Sequence, residues 1–220
     1  MDNLPHLSDG LYLDITTFAH STPHWFQKLA EVWTELGLLL FAVLFVAGWW
    51  RTRRGASDAM ALALLAPLAT AFGYVVSESL KSLVDEERPC RAVAGAPVSL
   101  VACPPHGDWS FPSNHSAIAG AAAVALALSW RGIVWLTAPM ALLMAFSRVF
   151  VGVHYPHDVT VGLLVGGAVA FVVVKAAKRP VRALVDTARS SRSGAVVWCV
   201  GRGLPAHASA RPEGVRHGAY

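Results

Sequence analysis

Charge is scarce in this sequence. Asp, Glu, Lys and Arg make up 15% of the 220 residues, against roughly 25% in a soluble domain, too few for an ordinary water-solvated surface. One oversized soluble core would instead need several consecutive helices that are apolar on every face. The basic residues do not gather with interleaved aromatics and the net charge is only +4, which argues against nucleic acid as a partner. No Lys or Arg occurs in the first fifteen residues, which carry Asp2, Asp9 and Asp14. That stretch lacks the positive n-region of a cleavable signal, so the first apolar run is expected to stay in the membrane.

What the sequence has in excess is apolar length: 55% of its residues are hydrophobic, and they cluster in runs. Spans are expected near 32–50, 59–80, 115–130, 132–148 and 158–176, several of them short against the ~20 residues that cross a bilayer core. Pro67 is a possible kink in the second. The segment 7–27 mixes Leu11, Leu13, Ile15, Phe18, Trp25 and Phe26 with polar residues and Pro23, and reads as an interfacial amphipathic helix. Small residues fill the third span, and Gly162 and Gly166 stand four apart in the fifth, a spacing that lets helices approach closely. The expected fold is all-α: a polytopic membrane helical bundle with about five or six helices in its core. Residues 1–182 form the embedded domain, and 183–220 a flexible cytoplasmic tail with one short apolar stretch at 195–200. Nothing in the sequence bears on oligomeric state.

Basic residues set the orientation. Arg51, Arg53 and Arg54 follow the first span, Arg131 the third, and Lys175, Lys178, Arg179 and Arg182 the fifth, which places those three regions in the cytoplasm. Lys81, Arg88 and Arg148 then lie on the other side, against the rule, and chemistry is a local reason for them. Lys81 and Arg88 are seven apart, about two helical turns, and would point the same way if the second helix continued past the membrane. Ser113, Asn114 and His115 open the third helix, where a hydroxyl and free N–H groups suit an oxyanion; Ser113 or Asn114 could equally be an N-cap. His154 and Asp158 are four apart, so the carboxylate can hold one imidazole nitrogen and leave the other free to attack. Asp158 could also simply cap the fifth helix. Planar arginine forks, a lysine point charge and a hydroxyl together describe a phosphate site.

Three segments carry a resemblance: KSLVDEERP at 81–89, PSNH at 112–115 and SRVFVGVHYPHD at 147–158. In this order and spacing the chain resembles the membrane phosphatases of the type-2 phosphatidic acid phosphatase superfamily, which also contains the vanadium haloperoxidases. The resemblance implies that His154 is a nucleophile forming a phosphohistidine, that Asp158 orients it, and that His115 protonates the leaving group. It also implies that Lys81, Arg88, Ser113 and Arg148 hold the phosphoryl oxygens, with Asn114 standing where the family has Gly. If only its backbone N–H touches phosphate, Asn is tolerable there; if a positive φ is needed, Asn is one of the few side chains that adopt it. No metal or other cofactor is required, because positioned cations can stabilise a transferring phosphoryl group.

The short chain and the phrase FPSNHSA look like the bacitracin-resistance type of undecaprenyl pyrophosphate phosphatase, which implies a polyprenyl pyrophosphate in the outer leaflet of the cell membrane and a role in cell-wall lipid turnover. Phosphatidic acid, phosphatidylglycerophosphate, or non-catalytic binding or transport of an anionic lipid are the alternatives. A metal cluster of His154, His157 and Asp158 is disfavoured by the surrounding cations. Cys90 and Cys103 bracket twelve residues of the outer loop, where an oxidising compartment would permit a disulfide. One of Asp85, Glu86 and Glu87 could pair with Arg91, and His106 and Trp109 could pack in that loop. The topology is testable by cysteine labelling. A cysteine introduced near residue 105 is expected to react from outside the cell, and one near residue 53 only after permeabilisation; the reverse pattern would put the site in the cytoplasm.

Overall fold

The computed structural model describes residues 4–203, and every regular element among them is helical. Helix α1 (Leu4–Ser21) stops before Pro23, and α2 (His24–Thr52) starts directly after it. The stretch 7–27 is therefore two helices and not one: Pro23 is extended at φ −58 and ψ 145 at the N-cap of α2, where its missing backbone donor leaves no helical bond unmade. One face of α1 is fixed to the bundle: Tyr12 and Ala19 are fully buried, and the Tyr12 hydroxyl donates to the Gly152 carbonyl at 2.9 Å.

The remaining elements are α3 (Ser57–Lys81), the single turn α4 (Pro89–Ala92), α5 (Asn114–Ser129), a 3-10 turn (Arg131–Ile133), α6 (Val134–Phe150), α7 (Pro156–Arg189) and α8 (Gly194–Val200). Four helical stretches are long and apolar enough to cross a membrane: α2, α3, Arg131–Phe150 and α7. Large apolar side chains such as Leu39, Val43, Leu142 and Leu164 stand exposed on them, as expected of faces turned to hydrocarbon. The remaining expected span, the third, is α5; it has 16 residues, roughly 24 Å at 1.5 Å per residue. It sits inside the bundle against α3, α6 and α7, so protein covers the ends that lipid would not tolerate.

The two small-residue stripes meet. A Cβ on Gly162 would fall 2.5 Å from the Ser113 carbonyl oxygen, and one on Gly166 would overlap the Ala117 carbonyl. Bare backbone at these positions lets α7 lie directly on α5. Alanines of α5, among them Ala121 and Ala125, then pack with Leu65 and Ala69 of α3 and Ala170 and Val174 of α7.

Past residue 182 the chain departs from the expected flexible tail. Helix α7 runs through Pro180 to Arg189 and α8 folds back. The reason is anchoring: Asp58 pairs with Lys178 and Arg182, Arg189 donates to Ser57 Oγ at 3.1 Å, and Val185 is buried with Met60 and Ala61. The part of the expected tail at 204–220 lies outside the described residues.

The loop between α3 and α5 carries the disulfide Cys90–Cys103, with Cα atoms 6.2 Å apart. Arg91 stiffens it, pairing with Glu87 at 2.6 Å and donating to the Pro104 carbonyl.

Replacing Gly166 by Val is expected to cost about 3 kcal/mol or more of stability, as overpacking against backbone that cannot yield. A thermal unfolding midpoint in detergent equal to that of the unchanged protein would show that α5 and α7 do not need this contact.

Candidate active site

Four helix ends and one loop converge at the same end of the bundle. Lys81 closes α3, Ser113 is the residue before α5, Arg148 lies in the last turn of α6, and His154 precedes α7. The end of α3 differs from the expected two-turn extension. Residues 82–88 are not helical, and Arg88 is extended at φ −67 and ψ 142, because Pro89 disfavours the helical region at the residue before it. Arg88 reaches Lys81 by the loop's return and not along a shared helix face.

His154 and Asp158 are buried, 2% and 0% exposed. His154 Nδ1 lies 3.3 Å from Asp158 Oδ2, and Arg88 Nη1 lies 3.1 Å from His154 Nε2. A guanidinium only donates, so the nitrogen facing Arg88 presents its lone pair and the proton sits on Nδ1, directed at Asp158. The network thus assigns the tautomer that leaves Nε2 nucleophilic. Asp158 Oδ2 also accepts from the Tyr155 backbone N–H at 2.8 Å and from the Ser110 hydroxyl, so the carboxylate caps α7 and orients His154 at once.

Burial pushes the His154 imidazole down to about 4, with Arg148 and Arg88 adding to the effect and Asp158 opposing it. It is neutral at physiological pH.

Arg88 is held from three sides. Its Nε donates to the Asp108 carbonyl at 2.7 Å, Nη2 to Asp108 Oδ1 at 2.9 Å, and Nη1 to the Val153 carbonyl at 3.0 Å. Lys81 Nζ shares the same Asp108 oxygen at 3.1 Å. Burial raises the Asp108 carboxyl, but the hydrogen bonds and charge of Arg88 and Lys81 outweigh it and hold the group below its ordinary range. A carboxylate therefore occupies the place between two cations that suits an anion.

Arg148 is buried, donates from Nη1 to Thr34 Oγ1 at 2.9 Å, and stands 4.0 Å from Glu35. Its Nε is buried without a partner among the described residues, a donor available to a ligand.

Ser113 stands at the N-cap position of α5 but makes no side-chain cap bond; its Oγ accepts from Ser116 Oγ at 3.2 Å. Its backbone N–H donates to the Asp158 carbonyl at 3.2 Å, tying the starts of α5 and α7. Asn114 opens α5 without a positive φ. Its side chain turns to α3, accepting from Ser77 Oγ at 2.8 Å and donating to Glu78. Only its backbone N–H remains for an anion. Half-buried His115 has Arg148, His154, Lys81 and Arg88 as its electrostatic neighbours.

His157 leaves this group. Its Nε2 lies 2.9 Å from Glu86 and Nδ1 2.8 Å from Ser8 Oγ. Glu86, His157 and Asp158 bring ligand atoms within 4.8 Å of one another, but the His157–Glu86 pairing accounts for that cluster, and His154 is not in it. The other Asp158 oxygen, Oδ1, is within ion-pair distance of His157 Nε2 at 3.3 Å yet has no aligned hydrogen bond among the described residues.

Sequence reasoning missed Asp108, Ser110 and Thr34. Their partners are 20 or more positions away, and no local spacing marks them.

The chain matches the PAP2 superfamily over residues 61–182. That interval contains the three motif segments. The chain belongs to the PAP2 superfamily. It is 32% identical to undecaprenyl-diphosphatase BcrC of Bacillus subtilis over 140 residues, 63% of this chain and 68% of that protein. It is 36% identical to an undecaprenyl-diphosphatase of Sulfolobus acidocaldarius over 102 residues, 46% of this chain and about half (48%) of that protein. In fold, the chain resembles LpxE from Aquifex aeolicus, with a TM-score of 0.60 at 24% identity, covering 76% of this chain and 93% of that one. It also resembles a transmembrane PAP2 type phosphatidylglycerolphosphate phosphatase from Bacillus subtilis, with a TM-score of 0.61 at 21% identity, covering 81% of this chain and 88% of that one. As a PAP2 protein the chain is a multi-pass membrane hydrolase, a lipid phosphatase of the PAP2 type.

An anion entering between Lys81 and Arg88 would have to displace the Asp108 carboxylate that bridges them. Asp108→Asn is expected to tighten competitive inhibition by inorganic phosphate about tenfold, in line with roughly 1.5 kcal/mol for one charge-assisted hydrogen bond. An unchanged inhibition constant would show that phosphate does not use the Lys81 and Arg88 cations.

Proposed function

We propose that this enzyme hydrolyses undecaprenyl pyrophosphate to undecaprenyl phosphate at the extracytoplasmic face of the cell membrane, through a phosphohistidine on His154. The observation that carries the reading is the buried His154, neutral, locked by Asp158 on one nitrogen and presenting the other to a group of cations. The names of the Bacillus subtilis and Sulfolobus acidocaldarius relatives support the lipid. The basic ends of α2 and α7 lie opposite the site, and the positive-inside rule supports its external placement.

The terminal phosphoryl group enters between Lys81, Arg88 and Arg148, displacing Asp108, and is further held by Ser113 and the backbone N–H of Asn114. The positive end of α5 adds to this field. His154 Nε2 attacks phosphorus as the bridging P–O bond breaks, and His115, brought to its protonated form by the negative charge of the bound substrate, protonates the departing lipid phosphate. Asp158 stabilises the charge that forms on the imidazole. A water then attacks the phosphohistidine while His115 takes its proton, releasing inorganic phosphate and restoring His154. The cations stabilise the equatorial oxygens throughout, the role that metal ions fill elsewhere.

A different lipid phosphate is the second reading, since a relative from Mycobacterium tuberculosis, equally 32% identical, is named decaprenylphosphoryl-5-phosphoribose phosphatase. Phosphate release in detergent from undecaprenyl pyrophosphate, phosphatidic acid and phosphatidylglycerophosphate separates these. Undecaprenyl pyrophosphate is expected to give the highest kcat/KM, and His154→Ala to lower it by roughly a thousandfold or more; equal activity in the variant excludes the nucleophile. Protonating His154 removes the attacking lone pair, so activity falls as pH drops through its pKa. The acid limb is expected well below the ordinary imidazole range, near 4, and lower still in Asp158→Asn, which loses the carboxylate that raises it. A limb near 6.5 that ignores Asp158 would assign the base elsewhere.

A further inference from the structure

At the end of the bundle opposite the active site, a cleft of about 640 Å³ lies between the end of α2 and α8. Arg51, Arg53, Arg54 and Arg202 line it together with Trp50 and Trp198, and no carboxylate is among the described residues that do. The nearby acids are already engaged: Asp58 pairs with Lys178 and Arg182, and Asp186 with Arg182. Four cations thus face one space without a counter-charge among the described residues.

The positive-inside rule needs only an excess of basic residues on solvated loops. Here the chain builds walls. Trp49 Nε1 donates to the Cys199 carbonyl at 2.8 Å, and Arg189 donates to the Val200 carbonyl at 3.3 Å. The Gly203 N–H donates to the Arg53 carbonyl at 3.3 Å. Gly201 has φ +69 and a Cβ there would overlap the Arg53 carbonyl, so the return of the chain requires glycine.

Arg53 forms one wall. Its guanidinium lies 4.7 Å from the Trp50 ring and 4.6 Å from the Trp198 ring, and Nη2 donates to the Trp198 carbonyl at 2.5 Å. Its Nε is buried without a partner among the described residues. The indoles hold the cation in place and leave donors uncommitted.

The cleft also lies at a defined depth. Helix α3 connects the two ends, from Ser57, bonded to Arg189, to Lys81 in the active site. Its 25 residues span roughly 37 Å, a hydrocarbon core of about 30 Å with part of the headgroup layer. With the active site at one surface, the cleft sits among the headgroups of the other, where exposed Trp50 and Trp198 have the character of interfacial anchors.

We propose that this cleft binds the phosphate-bearing headgroup of an anionic membrane lipid from the leaflet opposite the active site. Arginine forks recognise the phosphate oxygens, and the tryptophans line the path of the acyl chains toward the bilayer.

The test uses the full chain in neutral detergent. Native mass spectrometry is run with phosphatidylglycerol and with phosphatidylcholine of the same acyl chains, on the unchanged protein and on the double variant Arg51→Gln/Arg202→Gln. Both residues of the double variant are exposed, and the contact of the Arg51 guanidinium with the Trp130 ring at 4.9 Å is minor beside the packed core of the bundle. Phosphatidylglycerol is expected to bind about tenfold or more tightly than phosphatidylcholine, and the double variant to lose about tenfold of that affinity with its phosphatase rate unchanged. Equal binding of the two lipids, or an undiminished affinity in the double variant, overturns the proposal. A thermal-shift arm with inorganic phosphate separates the sources. If phosphate, beyond the shift its active-site binding gives both proteins, stabilises the unchanged protein more than the double variant, while phosphatidylglycerol binding ignores the arginines, the cleft takes a free anion and the lipid assignment is wrong.

Discussion

Where α7 crosses α5, backbone meets backbone, and the placement of the chemical groups depends on that contact. The bare Gly162 lies against the carbonyl of Ser113, and the Ser113 N–H in turn donates to the Asp158 carbonyl. The start of α5, with Ser113 and His115, is thereby held beside the start of α7, with His154 and Asp158. Positions on rigid helix ends are better defined than positions on free loops, which is what the proposed alignment of a nucleophile, an acid and several cations requires.

Gathering Lys81, Arg88 and Arg148 at one buried place is electrostatically costly. The protein offsets this with carboxylates that do not belong to the motifs: Asp108 bridges Lys81 and Arg88, and Glu35 stands by Arg148. These acids satisfy the cations without neutralising the whole group. A phosphoryl group, with more oxygens than one carboxylate, can engage Lys81, Arg88 and the Nε of Arg148, which has no partner among the described residues, together. Burial depresses the His154 imidazole, and Arg148 and Arg88 add to it, so the cations that suit a phosphate also favour the unprotonated ring of the proposed nucleophile.

The helices that carry this chemistry also carry a second basic site at their other end. The two differ in how charge is met. In the active site, acids from the loop and α2 are supplied; in the cleft by α8, indoles surround Arg53 and no acid is among the described lining residues. On the proposed reading both take anions at membrane boundaries, one for turnover and one for retention.

The ordered motifs at 81–89, 112–115 and 147–158 make the family and most of the candidate site legible in the sequence itself, because His154 with Asp158 is a helical-spacing relation and the small-residue stripe of α7 is periodic. Apolar length likewise determined the helical membrane architecture. Tertiary structure alone decided what lies far apart in the chain. It brought Asp108 between Lys81 and Arg88, Ser110 to Asp158, and Thr34 to Arg148. It ended α3 at Lys81, turned the side chain of Asn114 toward Ser77 and Glu78, and ordered 183–203 against α2 and α3. The physical reason is range: periodicity and capping act within a few residues and leave a mark in sequence, whereas a hydrogen bond across a hundred residues depends on where the packed helices deliver each side chain.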